Sequence, residues 1–345
     1  MVSHYRATRL GPSATQIEGN FYNIAILGSA INATGQIVGY HGPELRYGLP
    51  GDTVGPYTPF IYSIELTDLC SPGCKAGSGQ AINGTGQVTG QADGHAFLYS
   101  DGKMLDLGTL GGSDSTGNGI NDSGQVVGIS TTGDYSGFAP TTHAFLYSDG
   151  VMVDMGALGG SSSGANGINN KGETTGWWSN TPGDGQYGPR RAFLYTGGKM
   201  IDLDLPPNKD SAGNAINDNE EITGCFVPNS ELGGWCHAFL YSGGHMIDLN
   251  DQFLSGAGSG LGTGINNKGQ VVGWASSTTP PDTYAFLFSE GKLYDLNALV
   301  IDGLDGHYLS RAVAINDSGQ IVAVGYASGY GLGGTVATWR LDPTP

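Results

Sequence analysis

Short runs of alternating apolar and polar residues recur along the chain, separated by Gly, Asn, Asp and Ser. In the segment 118–155, one apolar run ends at Ile120-Asn121 and a tight turn leads into a second run, Gln125–Val127. After a variable connection come a third run, Ala144–Tyr147, a turn at Asp149-Gly150 and a fourth run. Alternation with a period of two, bounded by turn formers, is typical of β-strands. The pattern predicts a unit of four short antiparallel strands, named a to d here.

The unit repeats along the whole chain. An Ile-Asn dipeptide, a Gly-containing turn and an apolar run occur together seven times, with the isoleucines at Ile31, Ile82, Ile120, Ile168, Ile216, Ile265 and Ile315. A four-stranded sheet of this size cannot bury its apolar faces alone and must pack against its neighbours. Radial packing of such sheets makes a β-propeller. The sequence therefore predicts an all-β, seven-bladed propeller of four-stranded antiparallel blades, with residues 1–345 as a single domain.

The chain ends indicate how the ring closes. Tyr5–Leu10 is an isolated strand d, and Val336–Arg340 is a strand c with no strand d after it. An open ring would leave strand edges exposed to aggregation. We therefore expect the N-terminal strand to pair with the C-terminal segment and to complete one blade.

A second motif marks strand c. His-Ala-Phe begins at His95, His143 and His237, is altered at Arg191 and Tyr284, and is degenerate at Pro59-Phe60 and at Val336-Ala337-Thr338. Together with the Asp-Leu-Gly and Leu-Gly-Gly segments of residues 106–112 and the Ile-Asn-Asp-Ser-Gly-Gln turns, it resembles the HAF family of bacterial extracellular repeat proteins. The resemblance covers almost the whole chain. It implies an extracellular setting and no particular activity, because a repeat consensus describes a scaffold.

Composition and charge narrow the class of protein. The chain has 61 Gly, 16 Pro and only 13% charged residues, which disfavours a helical fold. Fourteen basic and 31 acidic residues give a formal charge of −17, which disfavours nucleic acid as a partner. No apolar run approaches the roughly 20 residues of a membrane span. The start of the sequence does not resemble a signal peptide, so we expect either a cytosolic protein or one whose leader has been removed.

The four cysteines favour the second alternative. Cys70 and Cys74 bracket a short turn, and Cys225 and Cys236 bracket a ten-residue loop, so each pair could close locally. Two disulfides predict a secreted or periplasmic protein. The other interpretation is four free or metal-binding thiols, although no His stands at zinc-finger spacing.

Repeated polar residues are interpreted as scaffold. The histidines of the His-Ala-Phe motif, the Asn of each Ile-Asn dipeptide and the Asp of strand d recur at fixed positions, so they lie in different blades and satisfy groups at turns and strand ends. The a–b and c–d turns share one side of the propeller, the turn face. The variable b–c and d–a connections share the other, the loop face, where binding and catalytic groups are expected.

The candidate catalytic residues come from two connections that ring closure brings into adjacent blades. The connection 40–57 follows strand b of blade 1, and the segment 302–311 leads into blade 7. Their non-repeated polar residues are the candidates: His41, Glu44, Arg46, His307, Tyr308 and Arg311.

Loop-face aromatics and arginines are the candidate ligand-binding residues. Aromatic faces stack on sugar rings, and arginine suits carboxylate or sulfate recognition, although rim arginines also pair with nearby acids. The candidates are Tyr47, Tyr57, Tyr187, Arg190, Arg191 and Trp235. By contrast, Trp177 and Trp274 are expected to fill gaps between blades.

Two functions fit these residues, and a purely structural or assembly role is the remaining alternative. One is a secreted module, expected to be monomeric, that binds an extracellular ligand such as a carbohydrate through the loop face. The other is a polysaccharide-degrading enzyme with its site over the central axis. A lyase would use Arg46 or Arg311 to neutralise a uronate and His41, His307 or a loop-face Tyr to remove a proton. A glycoside hydrolase would need two facing carboxylates, with the candidates Glu44, Asp184, Glu231, Asp282 and Asp305. No cofactor or metal site is expected, although a structural calcium ion is compatible with the loops.

Overall fold

The structure is a computed structural model and describes residues 2–11, 15–17, 20–22, 24–43, 57–70, 73–136, 139–180, 189–203, 205, 210–228, 235–253, 258–276, 283–327 and 336–344. These residues form β-strands with one helical turn, α1 (Leu296–Leu299), and one 3₁₀ turn (Asn250–Gln252). The strands of blades 1–3 are β4 (Ile24–Ile31), β5 (Ile37–Pro43), β6 (Thr58–Tyr62), β7 (Leu66–Asp68), β8 (Gly77–Ile82), β9 (Val88–Ala92), β10 (His95–Ser100), β11 (Lys103–Gly108), β12 (Ser115–Ile120), β13 (Val126–Ser136), β14 (Ala139–Ser148) and β15 (Val151–Asp154).

Blades 4–6 follow the same plan, and three strands precede blade 1. The strands of blades 4–6 are β16 (Ser162–Ile168), β17 (Thr174–Ser179), β18 (Arg190–Thr196), β19 (Lys199–Asp202), β20 (Ser211–Ile216), β21 (Ile222–Phe226), β22 (His237–Ser242), β23 (His245–Asp248), β24 (Gly260–Ile265), β25 (Val271–Ser276), β26 (Thr283–Ser289) and β27 (Lys292–Asp295). The strands that precede blade 1 are β1 (Tyr5–Arg9) and the hairpin of β2 (Thr15–Ile17) and β3 (Asn20–Tyr22). The strands that follow blade 6 are β28 (Val300–Asp302), β29 (His307–Ile315), β30 (Ile321–Ala327) and β31 (Val336–Pro343).

Blade 7 closes the ring with strands from both ends of the chain. Its order is β28-β1-β31-β30-β29, and β1 pairs antiparallel with β31 from Tyr5 opposite Pro343 to Arg9 opposite Trp339. The pairing confirms the seven-bladed propeller and the predicted closure. β28 adds a fifth, parallel strand outside β1, which the repeat pattern did not predict.

The aromatic position of the His-Ala-Phe motif forms the centre of each blade contact. Six phenylalanines and one tryptophan occupy it, and each is at most 1% exposed: Phe60, Phe97, Phe145, Phe193, Phe239, Phe286 and Trp339. In six blades the residue opposite on strand b is Gly, whereas Ala323 stands opposite Trp339. The degenerate motif of blade 7 is therefore Ala337-Thr338-Trp339, and its predicted position one residue earlier is wrong.

The asparagines of the Ile-Asn dipeptides form a closed ring. Each side-chain amide donates to the main-chain carbonyl of the equivalent Asn in the next blade over 2.8–3.1 Å: Asn32, Asn83, Asn121, Asn169, Asn217, Asn266, Asn316 and back to Asn32. The same amide also donates to the Gln or Glu side chain four residues later. Its oxygen accepts from the main-chain amide of that residue. Both polar atoms of each buried side chain are thus satisfied, which avoids the cost of burying unpaired polar groups.

Candidate functional site

The turn face around the central axis is built from the same asparagine turns. A depression of about 200 Å³ lies inside the ring and is lined by the Ile-Asn dipeptides and the residue after each of them. Among these, Asp122 accepts from the amide of Gly84 and Asp317 accepts from the amide of Asn267. These carboxylates join neighbouring blades, so we interpret this face as scaffold.

The histidines of the His-Ala-Phe motif are hydrogen-bonded to carboxylates of their own blades. Nδ1 of His95, His143 and His237 lies 2.8–2.9 Å from the strand d carboxylates of Asp106, Asp154 and Asp248, respectively. In blade 4, Arg191 takes the place of the histidine, with its Nε 2.9 Å from Asp202. These pairs tie strand c to strand d, as the scaffold interpretation expects. Burial raises the pKa of Asp106, but hydrogen bonds from His95 and the Gly108 amide and the charge of His95 outweigh it and hold this pKa below its ordinary value.

His41 lies in strand β5 and not in a loop, because the strand continues past Tyr40. Its Nε2 is 2.8 Å from the hydroxyl of Thr58 and 3.9 Å from a carboxylate oxygen of Asp68. Thr58 and Asp68 occupy the positions that His95 and Asp106 hold in blade 2. In blade 1 the imidazole therefore reaches the strand d carboxylate from strand b. Burial lowers the pKa of His41, partly offset by the charge of Asp68.

His307, Tyr308 and Arg311 lie in β29, the innermost strand of blade 7, although the sequence placed them in a connection. Nδ1 of His307 is 2.8 Å from the carbonyl of Leu304, and its ring lies 5.1 Å from that of Trp339. Tyr308 stands opposite Tyr326. Arg311 is exposed in the middle of this strand.

Ring closure places His41 and His307 in adjacent blades, as expected, but their described contacts differ. The contacts of His41 are with Thr58, Phe60 and Asp68 of blade 1. Those of His307 are with Leu304 and with Trp339 of blade 7. The catalytic candidates Glu44 and Arg46 and the ligand-binding candidates Tyr47 and Tyr187 lie outside the described residues, as do all the candidate hydrolase carboxylates except Asp305. The catalytic assignment stays a prediction.

Two arginines of blade 4 lie on tryptophans. The guanidinium carbon of Arg190 is 4.4 Å from the ring centre of Trp177, and that of Arg191 is 5.6 Å from the ring centre of Trp178. Both tryptophans are at most 8% exposed, and the ring of Trp177 lies against Gly164 of its own blade. The arginines cover these rings from the loop-face end of the sheet, an arrangement that stabilises both partners.

Trp235 has a different environment. It precedes β22 in the connection from β21, and 66% of its surface is exposed. A Cβ at Gly258 would lie 3.5 Å from Cδ2 of the indole, so one part of the ring rests on the main chain that enters blade 6. The next residue, Cys236, is bonded to Cys225 of β21, with their Cα atoms 5.7 Å apart. The disulfide thus anchors the indole at the loop face.

Both predicted disulfides are present. Cys70 and Cys74 are joined in the connection from blade 1 to blade 2, with a Cα–Cα distance of 5.1 Å. In the same region, the ring of the ligand-binding candidate Tyr57 lies 5.2 Å from the ring of Tyr40, and the carbonyl of Tyr57 accepts from the amide of Gly77 in blade 2.

Among the described residues, no helix is long and apolar enough to cross a membrane.

Sequence reasoning missed a groove between blades 1 and 2. It has a volume of about 360 Å³ and is lined by the Cys70–Cys74 disulfide, Leu69, Met104 and the His95–Asp106 pair, among others. The feature of this region that the sequence analysis identified was the spacing of Cys70 and Cys74. It did not indicate a groove, because a groove reflects side-chain volume missing between two blades.

The sequence matches no protein-family model and no curated protein. Among solved structures, it is similar to the β-propeller domain of the Trilobed protease from Pyrococcus furiosus, with a TM-score of 0.53 and 10% identity over 85% of this chain and 98% of that one. It is also similar to the acylaminoacyl peptidase of Pyrococcus horikoshii, with a TM-score of 0.51 and 9% identity over 88% of this chain and 49% of that one. The first has an open velcro topology, whereas β1 closes the ring here. At these identities the likeness establishes the fold alone: the chain is a β-propeller.

Proposed function

We propose that this protein is an extracellular propeller that binds carbohydrate through its loop face, with Trp235 as a stacking platform. The observation that carries the proposal is an indole that is 66% exposed although it is anchored beside a disulfide. Large aromatic side chains are normally buried, and an exposed rigid one provides contact area at small entropic cost.

The shape of the platform suits a sugar ring. The indole rests against Gly258, where a larger side chain would have to share the space with the ring. The exposed part is a flat apolar surface, which complements the apolar C–H face of a pyranose.

The division of polar groups between the two faces supports a binding role for the loop face. On the turn face, the repeated Asn and Asp side chains are hydrogen-bonded within and between blades. The loop-face connections differ from blade to blade and carry the non-repeated aromatics. A rigid frame with variable loops on one side is the usual arrangement of a recognition module.

The extracellular assignment is supported by the cysteines. All four are paired in two disulfides, within blade 5 and in the connection that follows blade 1. Such bonds persist in oxidising compartments and are rare in the cytosol. The resemblance to a family of extracellular repeat proteins points the same way.

Affinity electrophoresis in gels containing soluble polysaccharides tests the proposal. We expect retardation of the wild-type protein by at least one neutral polysaccharide, and an affinity about tenfold lower for Trp235→Ala. Trp235→Phe should keep part of the retardation because it keeps a flat ring. The matched control is Ile64→Ala, which removes an apolar side chain that is 90% exposed on the turn face.

Two results would contradict the proposal. If Trp235→Ala migrates like the wild type in every gel that retards the wild type, the platform has no role in binding. If no polysaccharide retards the wild-type protein, carbohydrate is the wrong ligand class. Circular dichroism of each variant shows whether a loss of retardation reflects a loss of fold.

A further inference from the structure

We propose that the groove between blades 1 and 2 is a second binding site, which takes a neutral sugar ring against His95 and Asp106. The groove has a volume of about 360 Å³, within the rough range of 300 to 1,000 Å³ that small-ligand sites occupy. It lies in a different part of the ring from Trp235, which belongs to blade 5. The existence of the site is independent of that platform, and only its ligand class rests on the proposed function.

The connection into blade 2 carries a disulfide, whereas the connections into blades 3 and 5 each carry a leucine that packs in the cluster between the blades. Between blades 2 and 3, Leu110 packs against the buried cluster together with Met152. Between blades 4 and 5, Leu205 is buried in the cluster that contacts Met246. Between blades 1 and 2, the connection is closed by the Cys70–Cys74 disulfide, and Cys74 packs beside Met104. The smaller side chain leaves space beside Met104.

The polar pair that lines the groove is more exposed than its equivalents in other blades. The side chains of His95 and Asp106 are 38% and 65% exposed. The equivalent pairs are more covered: 23% and 44% for His143–Asp154, 23% and 26% for Arg191–Asp202, and 25% and 22% for His237–Asp248. The same repeated pair is therefore accessible to a ligand in blade 2.

The accessible atoms suit hydroxyl groups. Nδ1 of His95 is held by the Asp106 carboxylate, while its Nε2 has no hydrogen-bond partner among the described residues. The carboxylate accepts from the Gly108 amide through one oxygen and keeps further lone pairs for a ligand. Two adjacent hydroxyls of a sugar can donate to the carboxylate and bind the imidazole nitrogen at the same time.

The remaining wall selects a neutral ligand with an apolar face. Leu69, Met104 and the disulfide provide an apolar surface for the C–H face of the ring. Asp93 also lines the groove, and its carboxylate is held by the amides of Lys75 and Ala76. Two carboxylates in one groove repel a uronate or sulfated sugar, so the site favours neutral sugars.

NMR titration of the protein labelled at histidine tests the proposal, with His95→Gln assigning the resonance. The probes are methyl glycosides of glucose, mannose and galactose, with methyl glucuronoside as the anionic counterpart. We expect a neutral glycoside to shift the His95 imidazole signal in a saturable way. Asp106→Asn should weaken this binding about tenfold, because it removes a charge-assisted acceptor.

The repeat supplies the matched control. Asp154→Asn changes the same pair in blade 3, where it is more covered, and should leave the affinity unchanged. Trp235→Ala should also leave the His95 titration unchanged while it weakens retardation by polysaccharide about tenfold, which separates the two sites. No shift of the His95 signal with any glycoside, an equal effect of both Asn variants, or equal affinity for the glucuronoside would overturn the proposal.

Discussion

The side-chain amide of Asn316 donates to the main-chain carbonyl of Asn32 over 2.8 Å and so joins residues that are 284 positions apart in the chain. This bond completes the asparagine ring near the axis. Farther out, the pairing of β1 with β31 completes blade 7. The propeller is thus closed both near the axis and farther out. Near the axis, the closure between blades 7 and 1 uses the same type of asparagine contact as every other pair of neighbouring blades.

Asn316→Ala should destabilise the protein strongly for a single polar substitution. The variant loses the bond to Asn32, the bond to the Gln320 side chain and the bond from the Gln320 amide. With buried groups left unpaired, we expect the free energy of unfolding to fall by about 2–3 kcal/mol. Urea denaturation followed by tryptophan fluorescence measures it. Lys171→Ala, an exposed turn substitution, should change it by less than about 0.5 kcal/mol.

Gly128→Ala tests the close packing of strands a and b. A Cβ at Gly128 would lie 1.9 Å from the carbonyl oxygen of Thr116 and 2.8 Å from the Phe145 ring. Neither neighbour can move without disturbing the blade, so we expect a loss of about 3 kcal/mol in thermal or urea unfolding.

Blade 7 provides the control for that variant. It has Ala323 at the equivalent position, and its strand a is irregular at two places, between Leu309 and Arg311 and again between Ala312 and Ala314. Ala323→Gly should therefore cost only about 1 kcal/mol, mainly through backbone entropy. A Gly128→Ala variant as stable as the wild type would show that strand a of blade 3 can adjust in the same way.

The strands and the closure could be predicted because they follow from local periodicity and from counting repeats. The contacts between blades could not. The pattern identified Asn121 as a turn residue, but its bond to Asn169 joins positions 48 residues apart. Similarly, sequence alignment of the His-Ala-Phe motif did not identify Trp339 as the equivalent of the motif phenylalanine in blade 7. The strand register, in which Trp339 pairs with Ala323, shows this equivalence.

The candidate site was less predictable than the scaffold. His41 stood out as a non-repeated histidine, yet in the structure it contacts Asp68, the equivalent of the carboxylate that His95 contacts in blade 2. A histidine outside the repeat pattern can therefore make the same contact with the strand d carboxylate from strand b that the repeated histidine makes from strand c. The groove at His95 depends on the volume of side chains in a neighbouring blade, which no single repeat position encodes.

His41 should make the protein less stable below neutral pH. Burial lowers the pKa of His41 in the folded state, and this outweighs the charge of Asp68. Below the ordinary histidine pKa of about 6.5, the unfolded chain takes up a proton that the folded chain does not. The free energy of unfolding therefore falls as the pH drops from about 6.5 toward the folded pKa.

Comparison with His41→Gln isolates this effect, since glutamine can still hydrogen-bond to Thr58. Urea denaturation at about pH 7.5 and about pH 5 should show a smaller loss of stability for the variant than for the wild type. Other groups cancel in the comparison, including Asp295, whose pKa is raised by burial and whose effect has the opposite sign. Equal losses in both proteins would mean that His41 takes up its proton as readily in the folded state.

Incubation with a panel of neutral and uronate-containing polysaccharides separates binding from catalysis. As a binding module, the protein should release no fragments detectable by mass spectrometry while it is retained by one of the polymers. A lyase would release unsaturated fragments, and a hydrolase would release fragments that have gained water. If unsaturated fragments form and disappear in the double variant His41→Ala, His307→Ala, the enzyme hypothesis replaces the binding module.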